Sequence, residues 1–389
     1  MSASFGLSCN PVRILHLNPT FYPSTRDGGP SESLLLLARG LLAAGVDLEI
    51  VTTNGDGPRN SDVPLGMATA YEGIPVRYFN RFPKLGFAPS PSLLRHLGRI
   101  ARDVELVHVH ALFNFPSTAG AALLRALGRP YVLSPRGMCE PWALAHRSWK
   151  KWPYWRAIER RNVTGARALH ATSNEEAAHL RALVPGQDVF VVPNAVELPS
   201  APPNVERAAK RIVFLGRLHP VKGLDILIRA MSLLAQRHPE VELVLAGPDH
   251  HGELARVEAI AASLSPRPNV RWVGEVHGDA KARFLAGATA LALTSHSESF
   301  GRTVVEALAY GTPVVVSKAC PWAIVAERGA GFWVDNEPRA VADALARILE
   351  APSGGRTMRL AARTLANDYD VDRIGRAMLD EYRRVLAAP

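Results

Sequence analysis

The chain alternates short runs of Val, Ile and Leu with longer stretches in which apolar residues recur every three or four positions. Residues 12–18 (VRILHLN), 47–53 (DLEIVTT), 104–110 (VELVHVH) and 131–135 (YVLSP) lack the polar alternation of a half-exposed strand. Such runs mark strands buried on both faces, as in a parallel sheet covered by helices. Between them, 31–45 (SESLLLLARGLLAAG) and 116–128 (PSTAGAALLRALG) have the length and period of helices. The pattern pauses at 193–210, where prolines and small residues mark a linker. It then restarts, with strands at 211–217, 241–248, 270–274, 290–295 and 313–317 separated by helical stretches. Repeated strand–helix alternation predicts parallel α/β units. The chain therefore reads as an α/β protein with two Rossmann-like domains facing across a cleft, 1–200 and 201–369. A final helix, 370–389, places Ile374, Met378 and Tyr382 at four-residue spacing. Ligands in such sheets bind at the carboxyl ends of the strands.

Composition agrees with two cores. The chain has 389 residues, 47% hydrophobic and 21% charged, too long for a single core of ordinary size. No apolar run is long enough for a bilayer, and the best one, 34–46, is short and carries Arg39. The first residues lack a basic stretch followed by an apolar core, so no secretory signal is expected. Cys9, Cys139 and Cys320 are scattered and odd in number, which predicts a reducing compartment and no disulfide framework. A net charge of +9 draws polyanions: nucleic acid, anionic lipid or phosphorylated small molecules. The basic residues are spread along the whole chain without a recognisable binding module, which weighs against nucleic acid.

Three stretches carry candidate chemistry. In TRDGGPSESLLLL, Gly28 and Gly29 precede a helix start, where backbone amides favour an anion; a simple turn reads the same way. In FLGRLHPVKGLDILIRA, Arg217 and Lys222 flank a strand-to-helix turn and suit a diphosphate. In SHSESFGRTVVEALAYGTPVVVS, Glu298 lies in a loop and Glu306 about one turn into a helix. A loop carboxylate accepts hydrogen bonds from sugar hydroxyls, and one near a helix start holds a ribose diol while the helix end faces phosphate. Glu306 stands in an otherwise apolar helix, where burial without a partner is costly. That favours a functional role. His250–His251 and the Asp-x-Asp of NDYDVD (367–372) superficially suggest metal ligands. Adjacent histidines do not share a helix face, and the aspartates precede a helix as caps do. No metal site is expected.

Glu298 and Glu306 at their spacing, Gly216-Arg217 with Lys222-Gly223, LAGPD (245–249), VPNAVE (192–197) and the Gly28–Gly29 loop occur in the order seen in glycosyltransferase family 4. The chain resembles that family over almost its whole length. The stretches SPRGMCEPWAL and ARALHATSNEE are most similar to bacterial members that build exopolysaccharide, capsule and lipopolysaccharide. The resemblance implies the GT-B fold, with the last helix crossing back to the first domain. It also implies a retaining transfer of a hexose from a UDP- or GDP-linked donor to a glycan or lipid-linked acceptor. By the same resemblance Arg217, Lys222 and Glu298 are catalytic, Arg217 and Lys222 gripping the diphosphate and Glu298 the transferred sugar. Glu306 binds the ribose, the backbone of Phe300, Gly301 and Arg302 contacts phosphate or sugar, and Gly28 and Gly29 abut the diphosphate. Retention without a protein nucleophile implies front-face attack, with the protein positioning reactants and stabilising charge. No cofactor is required if cations and helix ends neutralise the diphosphate. Many members carry a histidine after the strand that here reads YVLSPRG; this chain has Arg136, which donates hydrogen bonds but is no base. His110, ending VHVH, is the second acceptor-side candidate. A sugar-nucleotide epimerase shares the architecture and is the alternative; a basic nucleic-acid-binding protein ranks below both.

One stretch, HRSWKKWPYWRAIERR (146–161), mixes three tryptophans and a tyrosine with basic residues. Pro153 reads as the first residue of a helix running to about Gly165, with Tyr154, Trp155 and Ile158 on one side. Trp149, Lys150, Lys151 and Trp152, with Trp142, form either an anionic-membrane patch or a structured loop with snorkelling lysines. The expected location is cytoplasmic, with peripheral contact at the inner face of the membrane.

Overall fold

The computed structural model describes residues 12–24, 29–85, 87–145, 148–201, 203, 205, 210–250 and 252–388. Cys9, Gly28 and His251 lie outside the described residues. The chain divides into two compact units, Met1–Pro193 with Val371–Pro389, and Asn194–Asp370.

The first unit holds β1 (Arg13–Thr20), β2 (Asp47–Thr53), a two-residue pair β3 (Gly55–Asp56) and β4 (Arg59–Asn60), and β5 (Ala68–Tyr71). Next come β6 (Ile74–Phe79), β7 (Leu106–His110), β8 (Tyr131–Ser134), β9 (Ala168–Ala171) and β10 (Val189–Val191). Eight of these form one sheet in the order β10-β9-β8-β7-β1-β2-β6-β5. Its pairings are parallel except β5 with β6. The second unit holds β11 (Arg211–Leu215), β12 (Glu242–Ala246), β13 (Asn269–Trp272), β14 (Ala290–Leu293), β15 (Val314–Ser317) and β16 (Gly331–Val334). They form a wholly parallel sheet, β13-β12-β11-β14-β15-β16. Strand order reverses between β1 and β7 in one sheet and between β11 and β14 in the other. Crossover loops diverge at such a point, and a crevice opens at the carboxyl ends of the two strands.

The unbroken apolar runs explain the two-sided burial: every residue of β7, β8, β9, β14 and β15 is buried. Helix starts follow capping chemistry. Asn114 Oδ1 accepts from Ser117 N at 3.0 Å to open the helix Phe115–Ala126, and Ser173 Oγ accepts from Glu176 N at 3.1 Å to open Asn174–Leu183.

The helix expected to begin at Pro153 begins instead at Ser148, with Pro153 inside it. Proline there cannot donate to the preceding turn and its ring crowds that turn's carbonyl. The chain continues through a π-helical turn, Trp155–Glu159, before resuming α-helix at Arg160–Thr164. The wider turn carries Trp155 inward, to 2% exposure, but leaves Ile158 38% exposed. The two residues therefore do not share the buried side assigned to them.

The C-terminal helix, Val371–Ala387, belongs to the first unit and buries Ile374, Met378 and Tyr382. It crosses the first helix, Gly29–Ala43, backbone against backbone. A Cβ on Gly375 would lie 2.2 Å from the Gly40 carbonyl carbon, and one on Gly40 would lie 2.3 Å from the Val371 oxygen. Alanine is otherwise about 1 kcal/mol better than glycine within a helix, so propensity and packing oppose each other here. Gly375→Ala is expected to lose stability by about 2–3 kcal/mol despite the gain in propensity, read as a lowered urea midpoint for the first unit. An unchanged or raised midpoint would show that the seam has slack.

Candidate functional site

In the second unit, two loops leave the β11/β14 switch point. The first passes Gly216 and the exposed Arg217, makes a 3-10 turn at Pro220–Lys222, and enters the helix Leu224–Ala235 through Gly223. The second runs from Thr294 to Gly301 and enters the helix Arg302–Ala309. They are tied together: Thr294 Oγ1 donates to the carbonyls of Lys222 (3.2 Å) and Gly223 (2.9 Å), and His296 N donates to the Val221 oxygen at 2.7 Å. Gly223 has φ +61°, and a Cβ there would sit 2.0 Å from the Thr294 oxygen. Only glycine permits this approach.

The tie brings Lys222 and Glu298 into contact. Lys222 Nζ donates to Glu298 Oε1 at 2.5 Å, and Ser295 Oγ donates to the same oxygen at 2.8 Å. The pair is mostly enclosed, with side chains 18% and 13% exposed. Enclosure strengthens the attraction but adds a desolvation cost that only good geometry offsets.

Glu306 is buried, but the premise that it lacks a partner is corrected by the structure. Arg302 Nη2 lies 2.8 Å from Glu306 Oε1, one helical turn away, and Lys281 Nζ lies 3.5 Å from the same oxygen. Lys281 belongs to the helix Gly278–Ala286; nothing in its local sequence marked it. Phe300 is turned inward onto Trp322 and Tyr369, with ring centroids 5.1 and 5.8 Å away. Its carbonyl accepts from the Trp322 indole. Gly301 has φ +80° at the helix entrance.

The first unit presents a different chemistry at its β1/β7 switch point. His16 on β1, His108 and His110 on β7 and His170 on β9 are all buried. Burial holds each imidazole uncharged: His16 and His170 are pushed down to about 3, with the Arg136 guanidinium a lesser cause, and His108 and His110 lie well below the ordinary value. Arg136 Nη2 lies 3.0 Å from His110 Nδ1, and His110 Nε2 lies 2.9 Å from His16 Nδ1. Arginine only donates. His110 must therefore accept at Nδ1, carry its proton on Nε2 and donate that proton to His16. His108 Nδ1 shares a 2.6 Å hydrogen bond with Tyr382 of the C-terminal helix. His110 is thus not a lining residue, as the sequence suggested; it lies beneath Arg136. Gly29 is the exposed first residue of its helix, and a Cβ there would meet nothing within 4 Å.

His16, His108 and His110 bring ligand-type nitrogens within 4.8 Å of one another. The set nevertheless fits a cation poorly. Both nitrogens of His110 are engaged, the His16 and His110 rings are stacked with an interplanar angle of 10°, and a guanidinium stands 3.0 Å from one candidate ligand.

Two buried glutamates, unremarkable in sequence, shape the loops above the histidines. Glu159 accepts from Phe113 N at 2.8 Å, from Thr118 Oγ1 at 2.5 Å and from Asn162 Nδ2 at 3.2 Å. Glu176 accepts from Gly137 N and Thr172 N, both at 2.7 Å, and from Thr172 Oγ1 at 2.6 Å. They brace loops in which Ala111, Phe113 and Arg136 have φ of +66°, +55° and +55°, a region side chains seldom adopt.

Comparison with known proteins places this architecture. The family of glycosyl transferases group 1 matches residues 200–365, and the glycosyl transferase 4-like domain matches residues 28–195. The chain belongs to the group 1, or family 4, glycosyltransferases. A relative from a Nocardioides species, named D-inositol 3-phosphate glycosyltransferase, is 29% identical over 98% of this chain and 92% of its own length. Among solved structures, sucrose-phosphate synthase from Thermosynechococcus elongatus matches with a TM-score of 0.75 at 20% identity, covering 97% of this chain and 100% of that one. HepE from Anabaena, in complex with UDP-glucose, matches with a TM-score of 0.70 at 21% identity, covering 96% and 99%. These likenesses establish the GT-B fold for this glycosyltransferase.

The aromatic surface of this glycosyltransferase is only partly as expected. Trp149, Trp152 and Trp142 are exposed by 73%, 44% and 38%. The side chain of Lys150 lies outside the described set. Lys151 turns back, donating to the Ala143 carbonyl and lying 5.9 Å from the Phe113 ring centroid. A loop that the sequence did not single out adds exposed Phe82, Leu85 and Phe87, with the Phe87 ring 5.5 Å from Tyr154. No helix among the described residues is long and apolar enough to cross a membrane.

The buried imidazoles set an acid limit on the first unit. Unfolding frees His16 and His170 to titrate at the ordinary 6.5, against about 3 when folded. The unfolded chain then binds more protons across that interval. Stability is complete above pH 6.5 and falls as pH drops toward 3. Urea midpoints of the first unit measured between pH 7.5 and 4.5 are expected to fall steadily below about pH 6.5; a flat profile would contradict a neutral buried cluster.

Proposed function

We propose that this glycosyltransferase is a retaining hexosyltransferase that moves a sugar from a UDP-linked donor to a hydroxyl of a glycan or lipid-linked acceptor in bacterial surface polysaccharide synthesis. The observation that carries the reading is the Lys222–Glu298 contact at the switch point of the second unit, with Glu306 one turn into the adjoining helix. Lys222 and Arg217 supply positive charge for a diphosphate whose charge grows as the glycosidic bond breaks, the kind of stabilisation that raises kcat. Glu298, oriented by Lys222 and Ser295, accepts from hydroxyls of the transferred sugar. Glu306, steadied by Arg302 and Lys281, accepts from the ribose diol. Arg136 is assigned to the acceptor. HepE, crystallised with UDP-glucose, supports UDP over GDP as the base-bearing half of the donor. The Glu298 and Glu306 pair and the Lys222 loop favour transfer over epimerisation.

The acceptor has a second reading. The Nocardioides relative that aligns with 98% of this chain is named for D-inositol 3-phosphate, which favours a small phosphorylated polyol over a polymer. Transfer assays offering both acceptor types separate the two, and the anomeric configuration of the product by NMR tests retention.

Lys222→Ala is expected to lower kcat by about 100-fold or more, while Glu306→Ala raises the donor KM by roughly tenfold. Wild-type kcat in Lys222→Ala would remove the site assignment. A thermal-shift series with UDP, GDP and ADP reads the base directly, because a ligand that prefers the native state raises Tm.

The exposed tryptophans support peripheral contact with an anionic membrane, where indole rings settle at the headgroup level and basic residues add attraction. Trp149→Ala with Trp152→Ala is expected to reduce sedimentation with phosphatidylserine-containing vesicles at least fivefold; equal sedimentation would end the membrane reading.

A further inference from the structure

We infer that Ser317 and Asn336 are positioning residues for Glu298: they fix the backbone around Ser295, whose hydroxyl aims the Glu298 carboxylate. The inference rests on the proposed reading of Glu298 as a ligand of the transferred sugar, and it extends that site to residues on two further elements of the second unit.

Glu298 meets two donors at the same oxygen, Oε1: Lys222 Nζ at 2.5 Å and Ser295 Oγ at 2.8 Å. They constrain it differently. An ammonium on a flexible four-carbon stem is a rotatable point charge and follows the carboxylate as it turns. A serine hydroxyl on a one-carbon stem sets a direction, as long as its own backbone is held. Ser295 is buried and lies past the last ladder contact between β14 and β15, Leu293 with Val316. Buried carbonyls need donors, and beyond that contact the carbonyls of Thr294 and Ser295 take theirs from side chains.

Ser317, the buried last residue of β15, donates through Oγ to the Ser295 oxygen at 2.6 Å. Asn336 Nδ2 donates to the Thr294 oxygen at 2.9 Å and lies 3.4 Å from the Ser295 oxygen. Asn336 follows β16, and β15 stands between β16 and β14. Its side chain therefore reaches past the end of an intervening strand. Among the described residues none donates to its Oδ1. The amide cannot be reversed, because Oδ1 would then face two carbonyl oxygens that do not donate. On its other side Thr294 is tied to the Lys222 and Gly223 carbonyls. The segment before Glu298 is thus held from the β11 loop on one flank and from β15 and β16 on the other. The contacts run from Ser317 and Asn336 to the Ser295 backbone, and through the Ser295 hydroxyl to Glu298. A carboxylate that accepts from sugar hydroxyls works only while its oxygens stay where those hydroxyls point, and supporting residues of this kind keep it there.

Two variants of the full chain test this. Ser317→Ala removes a donor without adding volume. Asn336→Asp keeps the shape but turns an oxygen toward the two carbonyls. Crystal structures of both are expected to show Glu298 rotated away from Ser295 Oγ. An unmoved Glu298 in both overturns the inference.

Calorimetric titration with UDP and with UDP-glucose reads the consequence without requiring turnover. Both variants are expected to keep UDP affinity within about twofold and to bind UDP-glucose about tenfold more weakly, the scale of one hydrogen bond to a charged group. Neither loss should add to that of Glu298→Ala. A merely structural tie would weaken both ligands alike or neither. Where Glu298→Ala itself weakens UDP-glucose, either of those patterns, or additive losses, overturns the inference. Where Glu298→Ala binds UDP-glucose as wild type does, the sugar-binding reading of Glu298 fails instead, and the place of Glu298 in the two variant structures alone decides the positioning.

Discussion

Parallel strands cannot be joined by a tight turn; each needs a crossover of a dozen residues or more. That constraint places every functional loop in this protein. Once β11 sits in the middle of its sheet and the chain builds outward first to β12 and β13, then back to β14, the loops after β11 and β14 must part from one another at the same edge. Lys222 and Glu298, far apart in sequence, meet there because the sheet brings their strand ends side by side. The first unit repeats the solution with β1 and β7, and Arg136 stands one strand further along. The glycines at these edges serve the same end. At Gly223 and Gly247 a side chain would collide with a neighbouring loop backbone at 2.0 Å.

The two units use opposite electrostatic means at equivalent places. In the second, carboxylates meet cations directly: Lys222 with Glu298, and Arg302 and Lys281 with Glu306. Such contacts hold charge in place but divide it between partners. In the first, a guanidinium meets an imidazole that burial keeps neutral. A buried neutral histidine costs less than a buried ion, yet it still fixes direction through its two distinct nitrogens.

The fold was legible because burial on both faces of a parallel sheet removes polar alternation from the strands. VVVS in β15 and LVHVH in β7 could be little else. The second-unit residues were legible because glycines and charges cluster at strand-to-helix turns. Glu159, Glu176 and Lys281 were not, since each acts across the fold on a partner in another element, with no local pattern to reveal it. The histidines left a faint trace: His16, His108, His110 and His170 each interrupt an apolar strand run. Only the sheet order shows that those interruptions stack on one another. Glu306 gained one partner from its own helix, Arg302 four residues earlier, and one, Lys281, from another element. The helix across Pro153 starts earlier than expected, at Ser148, and passes into a π-helical turn, which has no composition of its own.

The glycine seam between Gly40 and Gly375 joins the helix Gly29–Ala43, before the second unit in sequence, to Val371–Ala387, after it. A ribosome delivers residues in order, so the first unit must wait for the helix Val371–Ala387 until the whole second unit has been made. The second unit, contiguous from Asn194 to Asp370, has all its residues sooner. Co-translational folding commonly proceeds from the N-terminus; here the middle of the chain is completed first, and the unit begun earliest is closed last, when Tyr382 is laid over His108.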